Sequence, residues 1–567
     1  MRKALGMLLI IAFVLPTLLI ACSGEKTEAD WVDELRDKRT RDNALMYVQQ
    51  HKTKQAVPAL LRLVEKKYGT LKAIYALGII GDETAVPKLI EELKLVAKKD
   101  SMDHDRMTEQ LCMSLGMIGA TASVDALIWA VDNGGEMGRA GAIQALGMIG
   151  DPRATQKLIE VVKNEKEKIT IRHYAAIALG KLKADEAADT LVYALLVDDG
   201  TGLNLFRDGQ LSLIQIGGKA AREALIKGYK LENADAMALV EKYIKETKPG
   251  APKFKVDWLQ IKAINVLGEM RDAGNAPFLM GEFDKGVKDD LVYELFAKVM
   301  QSLERTPLGK EDLAKVAKIF LQKPRSTAYL NEREILSRVF IFNNYQDQLN
   351  DFMKIAAKGD LTLKNAMGKN QAFSQWCVAA ANVVSILGDD KLADEFDAFS
   401  KSGKCDAAIW GLKTPVKEIL NNFNERMQAS KHCKADMACW VKALQSDKWQ
   451  WREKALYVLG NSSNQAYMDD IIKVMNYPKE EVRAGVLYAV SRLMRTEDMP
   501  TLIRFWQDQK INKEFQKITE SLGYVLFIKM RELKLDSPNA RKELFEKAQK
   551  MKSTKTAKKT VAPTAKG

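Results

Sequence analysis

The sequence predicts an all-α chain, a superhelical α-solenoid of stacked helical hairpins with an irregular helical middle. Three observations carry this. Apolar residues recur at i, i+3, i+4 and i+7 almost throughout, the period of helices that bury one face. No series of alternating strands or Gly-rich strand–turn–helix signals interrupts that rhythm. Finally, the phrase "ALGMIGDPRATQKLIEVV" (Ala145–Val162) closely repeats "SLGMIGATASVDALIWAV" (Ser114–Val131), and self-similarity at such a spacing marks a repeat architecture.

The chain opens with a segment outside that architecture. Arg2 and Lys3 precede an apolar run, Leu8 to Ile20, broken by Pro16. The layout is that of a secretory signal over residues 1–21. It ends in Leu19-Ile20-Ala21-Cys22, which resembles the lipobox of bacterial lipoproteins. The resemblance implies cleavage before Cys22 and lipid on its thiol and new amino terminus. Ser23 in place of Asp implies the outer membrane rather than retention at the inner one. Several acyl chains anchor far more firmly than one. Residues 22–35 then read as a tether.

Residues 36–250 read as the first array of repeats. Taking the glycine of "LG" as a marker, Gly78, Gly116, Gly147 and Gly180 are spaced by 38, 31 and 33 residues, and Gly268, Gly388 and Gly460 recur later. Arg139, Arg172 and Arg452 each precede a marker by eight residues, and Arg483 stands eight before Ser491. The first helix of a unit reads "IRHYAAIALG", where Ala175, Ala176 and Ala178 are small enough to admit a neighbour. Gly81 or Gly150 can take the left-handed conformation that ends it. Asp82 or Asp151 can then cap the second helix, with Pro152 at its first position. Leu158, Ile159 and Val162 give that second helix an apolar face. A single hairpin cannot bury its own face, so the units must stack.

These features resemble the HEAT repeat, in its short bacterial form also found in phycobilisome lyases. The match is clear over about 50–250 and 445–510 and weak over 290–440. The resemblance implies that the arginines and turn aspartates form a structural ladder between repeats, and that the second helices line the concave side.

From 251 to 440 the pattern is irregular. "KPGAPKF" (Lys248–Phe254) reads as a loop, and "WLQIKAINVLGEM" restores a first helix with Gln260 in the arginine's place. Breaks are expected at Thr306–Gly309 and Lys323-Pro324. Degenerate repeats and a separate domain both fit, and continuation of the solenoid is favoured. Cys377, Cys405, Cys433 and Cys439 fall in this third, while Cys112 sits inside a first helix as a small core residue. Disulfides, free thiols, and a metal site built on His432, Cys433, Cys439 and Cys405 are the alternatives. Export to an oxidising compartment favours disulfides, with no preference among the pairings beyond the nearness of Cys433 and Cys439.

Residues 441–545 return to clear repeats. Trp440, Trp449 and Trp451 are expected to pack the join. The end, 546–567, is Lys-rich: seven lysines and no acidic residue follow from Lys547. Such composition cannot offset its ordering entropy. Without the tail and the signal, most of the net charge of +13 disappears, so the folded body is near neutral and nucleic acid is not an expected partner. The tail could touch anionic lipid or wall polymers.

Catalytic signatures are missing from the sequence. His51, His104, His173 and His432 form no paired ligand motif, and Glu91-Glu92, Asp389-Asp390 and Asp469-Asp470 read as solvated faces or turn caps. No cofactor or metal is expected. A binding surface is easier to place. Aligning the second helices puts Glu91, Trp129, Glu160 and Tyr193 at one position. Charge in two copies implies exposure, and exposed aromatics on a groove are common anchors, so Trp129 and Tyr193 are candidate contacts to a protein partner; packing on a neighbouring helix or loop is the alternative, and the favoured one. The sequence thus points to an outer-membrane lipoprotein, facing the periplasm or exposed at the cell surface, that acts as a non-catalytic scaffold or adaptor. The rival is an enzyme, or an enzyme's accessory subunit, using the concave groove. A deep pocket with converging titratable groups would mark the rival; a shallow groove with exposed aromatics would mark the scaffold.

Overall fold

The computed structural model describes residues 26–67, 70–99, 101–246, 257–288, 291–324, 326–365, 367–409, 412–508 and 516–551. The predicted signal segment, Cys22, the Lys248–Phe254 loop and the tail beyond Met551 lie outside these. The protein is an all-α solenoid of helical hairpins, divided into two compact units, Met1–Leu182 and Lys183–Gly567. No helix among the described residues is long and apolar enough to cross a membrane.

The first unit begins with α1 (Glu28–Glu34). Four hairpins follow: α2 (Arg41–His51) with α3 (Val57–Glu65), α4 (Thr70–Ile80) with α5 (Val86–Val96), α6 (Met102–Ile118) with α7 (Val124–Asn133), and α8 (Glu136–Ile149) with α9 (Thr155–Lys163). Helix α10 (Ile169–Leu182) ends the unit. The expected tether over 22–35 is corrected from Thr27 onward. Thr27 and Asp30 form a capping box on α1, and Leu35 is fully buried. Trp31 stacks on Tyr47 of α2 at 4.8 Å, which fixes the short helix to the first hairpin.

The turn within a hairpin is tighter than the sequence implied. Gly81, Gly119 and Gly150 end their helices at φ 74°, 82° and 72°. Asp82 and Asp151 accept from the backbone N–H of Thr84 (2.9 Å) and Arg153 (3.0 Å). What they cap is a single 3₁₀ turn, Glu83–Ala85 or Pro152–Ala154, which then leads into the second helix. Pro152 therefore opens the 3₁₀ turn, not α9. The extra turn drives Ala85 and Ala154 into the core, where both are fully buried.

The marker glycines have a packing reason. A methyl group placed on Gly78 would lie 2.9 Å from the Ser114 Cα, on Gly116 2.8 Å from the Ala145 Cα, and on Gly147 3.1 Å from the Ala178 Cα. Each glycine therefore receives the small residue that stands two positions before the next marker. Neighbouring first helices approach backbone to backbone at that point.

The second unit keeps the two-helix rhythm. It opens with α11 (Ala188–Ala194), α12 (Phe206–Ile216), α13 (Gly218–Tyr229) and α14 (Ala234–Glu246). Then come α15 (Asp257–Glu269) with α16 (Ala276–Val287), α17 (Tyr293–Leu303) with α18 (Lys310–Leu321), and α19 (Leu330–Phe342) with α20 (Leu349–Lys358). Helices α21 (Gln375–Leu387), α22 (Ala393–Lys401), α23 (Val416–Cys433) and α24 (Met437–Ala443) follow. The last are α25 (Trp449–Asn461), α26 (Met468–Ile472), α27 (Glu480–Leu493), α28 (Met499–Gln507), α29 (Gln516–Glu532) and α30 (Pro538–Lys550). Both predicted breaks, at 306–309 and 323–324, fall between helices. The glycine ladder recurs at Gly268 against Ser302 and Gly460 against Ala489. The unit also meets itself end to end: α29 packs on α12, and Arg531 donates to the Ile214 carbonyl at 3.2 Å.

Two features depart from expectation. An antiparallel hairpin, β1 (Leu361–Lys364) and β2 (Asn370–Phe373), interrupts the helices. Asn365 organises its turn by accepting from the N–H groups of Met367 and Lys369, both at 3.0 Å. Leu363 and Phe373 tuck against Leu330. The Lys-rich end also begins later than predicted. Helix α30 runs to Lys550 and buries Leu544 and Ala548, because those apolar side chains recur at helical spacing before the lysines take over.

Candidate binding surfaces and side-chain clusters

The ladder arginines reach backwards. Arg139 Nε donates to the Val131 carbonyl at 2.9 Å, and Arg172 Nε to that of Val162 at 2.8 Å. Arg452 Nη1 donates to Leu444 O at 2.7 Å and Arg483 Nη1 to Tyr477 O at 3.1 Å. In the first three the acceptor lies in or just past the last turn of the preceding hairpin's second helix; Arg483 takes a loop carbonyl after α26. Helix ends leave such carbonyls unsatisfied, and a guanidinium both bonds them and complements the helix dipole. Arg139 also pairs with Glu167. Gln260 fills the same role, donating to Tyr229 O at 3.1 Å. The sequence pattern missed two further members, Arg41 on Leu35 O (2.9 Å) and Arg333 on Gln322 O (3.1 Å), since neither precedes a marker glycine.

The position shared by Glu91, Trp129, Glu160 and Tyr193 divides. Glu91 and Glu160 are exposed. Each pairs with a lysine one turn back, Lys88 or Lys157, which also reaches Glu65 or Asp132 on the preceding second helix. Trp129 is half-buried, with the Lys98 ammonium 5.7 Å above its ring. Tyr193 is only 5 % exposed, so its assignment to a partner surface is corrected. Helix α11 spans seven residues and is covered by α12, α13 and α14, which places inside what the register alone puts outside.

A different surface is open in the first unit. The first helices α2, α4 and α6 frame a shallow groove of about 410 Å³ lined by Asp42, Leu45, Met46, Gln49, Leu71, Lys72, Tyr75 and Gln110. Met46, Leu71 and Tyr75 are 63 %, 41 % and 43 % exposed. The groove's two charges bond each other, Lys72 Nζ to Asp42 at 2.8 Å. It lies on first helices, away from the aligned position, so the repeat alignment gave no signal for it.

Family profiles described as HEAT repeats match residues 95–170 and 139–205, and the PBS lyase HEAT-like repeat matches residues 71–94. The chain carries HEAT repeats. Several solved structures are similar. One is the complex of CpcE and CpcF of phycocyanin lyase from Nostoc, at 21 % identity over 44 % of this chain and 96 % of that one, TM-score 0.27. Human deoxyhypusine hydroxylase matches at 12 % over 62 % and 97 %, TM-score 0.20. Yeast importin-beta matches at 10 % over 93 % and 71 %, TM-score 0.36. Comparison with curated proteins finds no match.

Within the later hairpins Cys377, Cys405, Cys433 and Cys439 form two disulfides. Cys377 joins Cys405 across 6.3 Å between Cα atoms, and Cys433 joins Cys439 across 5.3 Å. Asp360 organises the first: it accepts from the N–H of Ala407 at 3.0 Å and from the Ser374 hydroxyl, so the loop after α22 is tied to the start of β1. Two groups have the proximity for metal ligation, His432 with Cys433 and Cys439, and Asp360 with Cys377 and Cys405. In both, the sulfurs are spent on each other. Cys112 is a buried free thiol whose pKa burial pushes far up.

Trp440 is buried, Trp451 donates to Glu425 at 3.3 Å, and the Arg426 guanidinium lies 6.0 Å from the Trp449 ring. These tryptophans join α23 to α24 and α25. Beneath them lies a buried charged cluster that the sequence did not signal. Arg426 Nε bonds Glu453 at 2.7 Å and its Nη1 reaches Ser385 Oγ at 3.1 Å. Lys454 Nζ donates to Ile386 O (2.7 Å), Gly388 O (2.6 Å) and Ser385 O (3.2 Å), the unsatisfied end of α21. Burial, with the neighbouring Arg426 charge, pushes Lys454 down to about 7. Burial raises Glu453, and Arg426 opposes the shift. Every Lys454 donor is taken by a helix-end carbonyl, so the cluster clamps three helices and does not open onto a substrate.

Proposed function

We propose that the chain is a lipid-anchored, non-catalytic scaffold of the bacterial cell envelope that binds protein partners through the first unit. The observation that carries this is the groove on α2, α4 and α6. It is shallow, it exposes the apolar Met46 and Leu71 and the Tyr75 ring, and the exposed Lys72 and Asp42 that line it pair with each other. Exposed Met and Tyr beside amide groups suit a protein surface, since Met adapts to varied shapes and Tyr gives rigid contact area. The enzyme reading calls for titratable groups converging on a cavity, and the buried cluster at Lys454, among the described residues, is instead consumed by backbone carbonyls.

Anchoring rests on the Cys22 motif and is tested separately. Mass spectrometry of the amino-terminal peptide should find acylated Cys22, with membrane association lost in Cys22→Ser. A soluble, unmodified wild-type chain would end that part of the reading. For the scaffold, crosslinking of the native protein in cells, followed by mass spectrometry, should recover proteins whose links map to α2, α4 and α6. Met46→Glu with Tyr75→Ala should remove those links while the fold persists. Unchanged recovery with the double variant would overturn the groove assignment. Binding of purified wall material that depends on residues 547–567 would support the narrower role of a structural envelope component.

A further inference from the structure

We propose that His432, Cys433 and Cys439 form a redox-gated site for a soft divalent cation, with Zn²⁺ as the test ion. The inference is independent of the scaffold reading and rests on the contrast between the two disulfides. Cys377 and Cys405 are 1 % and 2 % exposed. Cys439 is only half-buried, and His432 beside it is exposed. Cys433 is buried like the first pair, so a reductant reaches the second disulfide through the Cys439 sulfur, and access governs thiol–disulfide exchange.

The geometry supplies three ligands. One nitrogen of His432 and both sulfurs lie within 4.8 Å of one another. A tetrahedral Zn²⁺ with ligands at about 2.0–2.3 Å holds them roughly 3.5 Å apart, so opening the S–S bond brings the sulfurs to metal spacing with little backbone movement. The loop is held by bonds that do not involve sulfur. Asp436 accepts from the N–H groups of Ala438 (2.9 Å) and Cys439 (3.3 Å). The Trp440 indole N–H, on a buried ring, donates to Lys434 O at 2.9 Å. The His432 ring packs 5.2 Å from that of Trp451. These contacts persist on reduction and keep the ligands poised.

The chemistry balances with a dithiol as reductant. Its two thiols reduce the Cys433–Cys439 bond to two thiols and leave as its own disulfide. Zn²⁺ then displaces the two thiol protons and takes both sulfurs and one imidazole nitrogen, leaving the fourth position to water. A small-molecule disulfide reverses the process: it is reduced to its two thiols as the Cys433–Cys439 bond re-forms, and Zn²⁺ is released.

The test uses the full chain. After mild dithiol treatment and removal of the reductant, alkylation mapped by mass spectrometry should label Cys433 and Cys439 ahead of Cys377 and Cys405. Titration against a chromophoric chelator should give one Zn²⁺ per reduced chain and none for the oxidised chain. Co²⁺ in its place should show a thiolate charge-transfer band. His432→Ala should weaken binding at least tenfold, and Cys439→Ser should abolish the tight site. If Cys439→Ser does not fold, the wild-type Co²⁺ spectrum and His432→Ala decide alone. A reduced chain that binds no ion, equal binding by oxidised and reduced chains, or binding unchanged by His432→Ala would each overturn the proposal.

Discussion

Gly116 of α6 packs against Ala145 of α8 so closely that a methyl group on the glycine would stand 2.8 Å from the Ala145 Cα. The marker glycine is a contact point between first helices, not a hinge. Gly116→Ala should therefore destabilise by about 1–3 kcal/mol, the usual cost of overpacking. Gly281, exposed in the interior of α16 with nothing within 4 Å, is the control. Gly281→Ala should stabilise by about 0.5–1 kcal/mol through lost backbone freedom in the unfolded chain. Thermal unfolding midpoints moving in opposite directions would verify both.

Arg172 is buried and donates to the Val162 carbonyl at 2.8 Å. Hydrogen bonds from charged groups contribute about 1.5–3 kcal/mol, and Arg172→Ala should cost that much in urea unfolding. Arg172→Lys should recover only part, because a single ammonium on a shorter stem does not reproduce the guanidinium's planar reach. Full recovery by lysine would show that charge alone matters there.

Lys454 ties stability to pH. Its pKa falls from 10.5 to about 7 on folding, so between those values the unfolded chain holds a proton that the folded chain lacks. Stability then rises with pH across that window, by at most about 1.4 kcal/mol per pH unit. The wild type should gain on Lys454→Met as pH increases from 7 to 10, measured as the difference between their urea midpoints. A flat difference would mean that the three carbonyls keep the ammonium charged.

Tyr193 is a core residue. Tyr193→Ala should cost about 3 kcal/mol or more, as expected for removing a buried aromatic ring, and should lower the unfolding temperature. Trp129→Ala, at a half-buried position, should cost less. Equal thermal shifts would contradict the burial difference between them.

The repeat itself was legible because it is local. Gly150, Asp151 and Pro152 specify a turn from residues adjacent in the chain, and the order of helices follows from their period. The sequence missed what depends on neighbours far away. Tyr193 and Glu160 occupy the same register, yet only Tyr193 is roofed by further helices. Arg333 caps a helix like Arg172 does, but the glycine that marks its kin is absent. The groove at Met46, Leu71 and Tyr75 assembles from three repeats, none of which carries it alone. The cysteine pairing is likewise a matter of distance in space, since Cys377 and Cys405 are 28 residues apart. The β-hairpin was readable in principle, from Leu361 and Leu363 alternating before Asn365, and was submerged in the helical rhythm around it.

The backward reach of the arginines gives the protein a direction. The second helices α7, α9, α18 and α24 are each finished by an arginine of the next hairpin along, as Val162 is by Arg172. Trimming hairpins from the carboxyl end strips the last remaining helix of its cap. Trimming from the amino end bares the apolar face of the next hairpin and releases an arginine, yet leaves the remaining caps in place. The same asymmetry applies while the polypeptide emerges during synthesis: each of these four hairpins lacks that cap until its successor arrives.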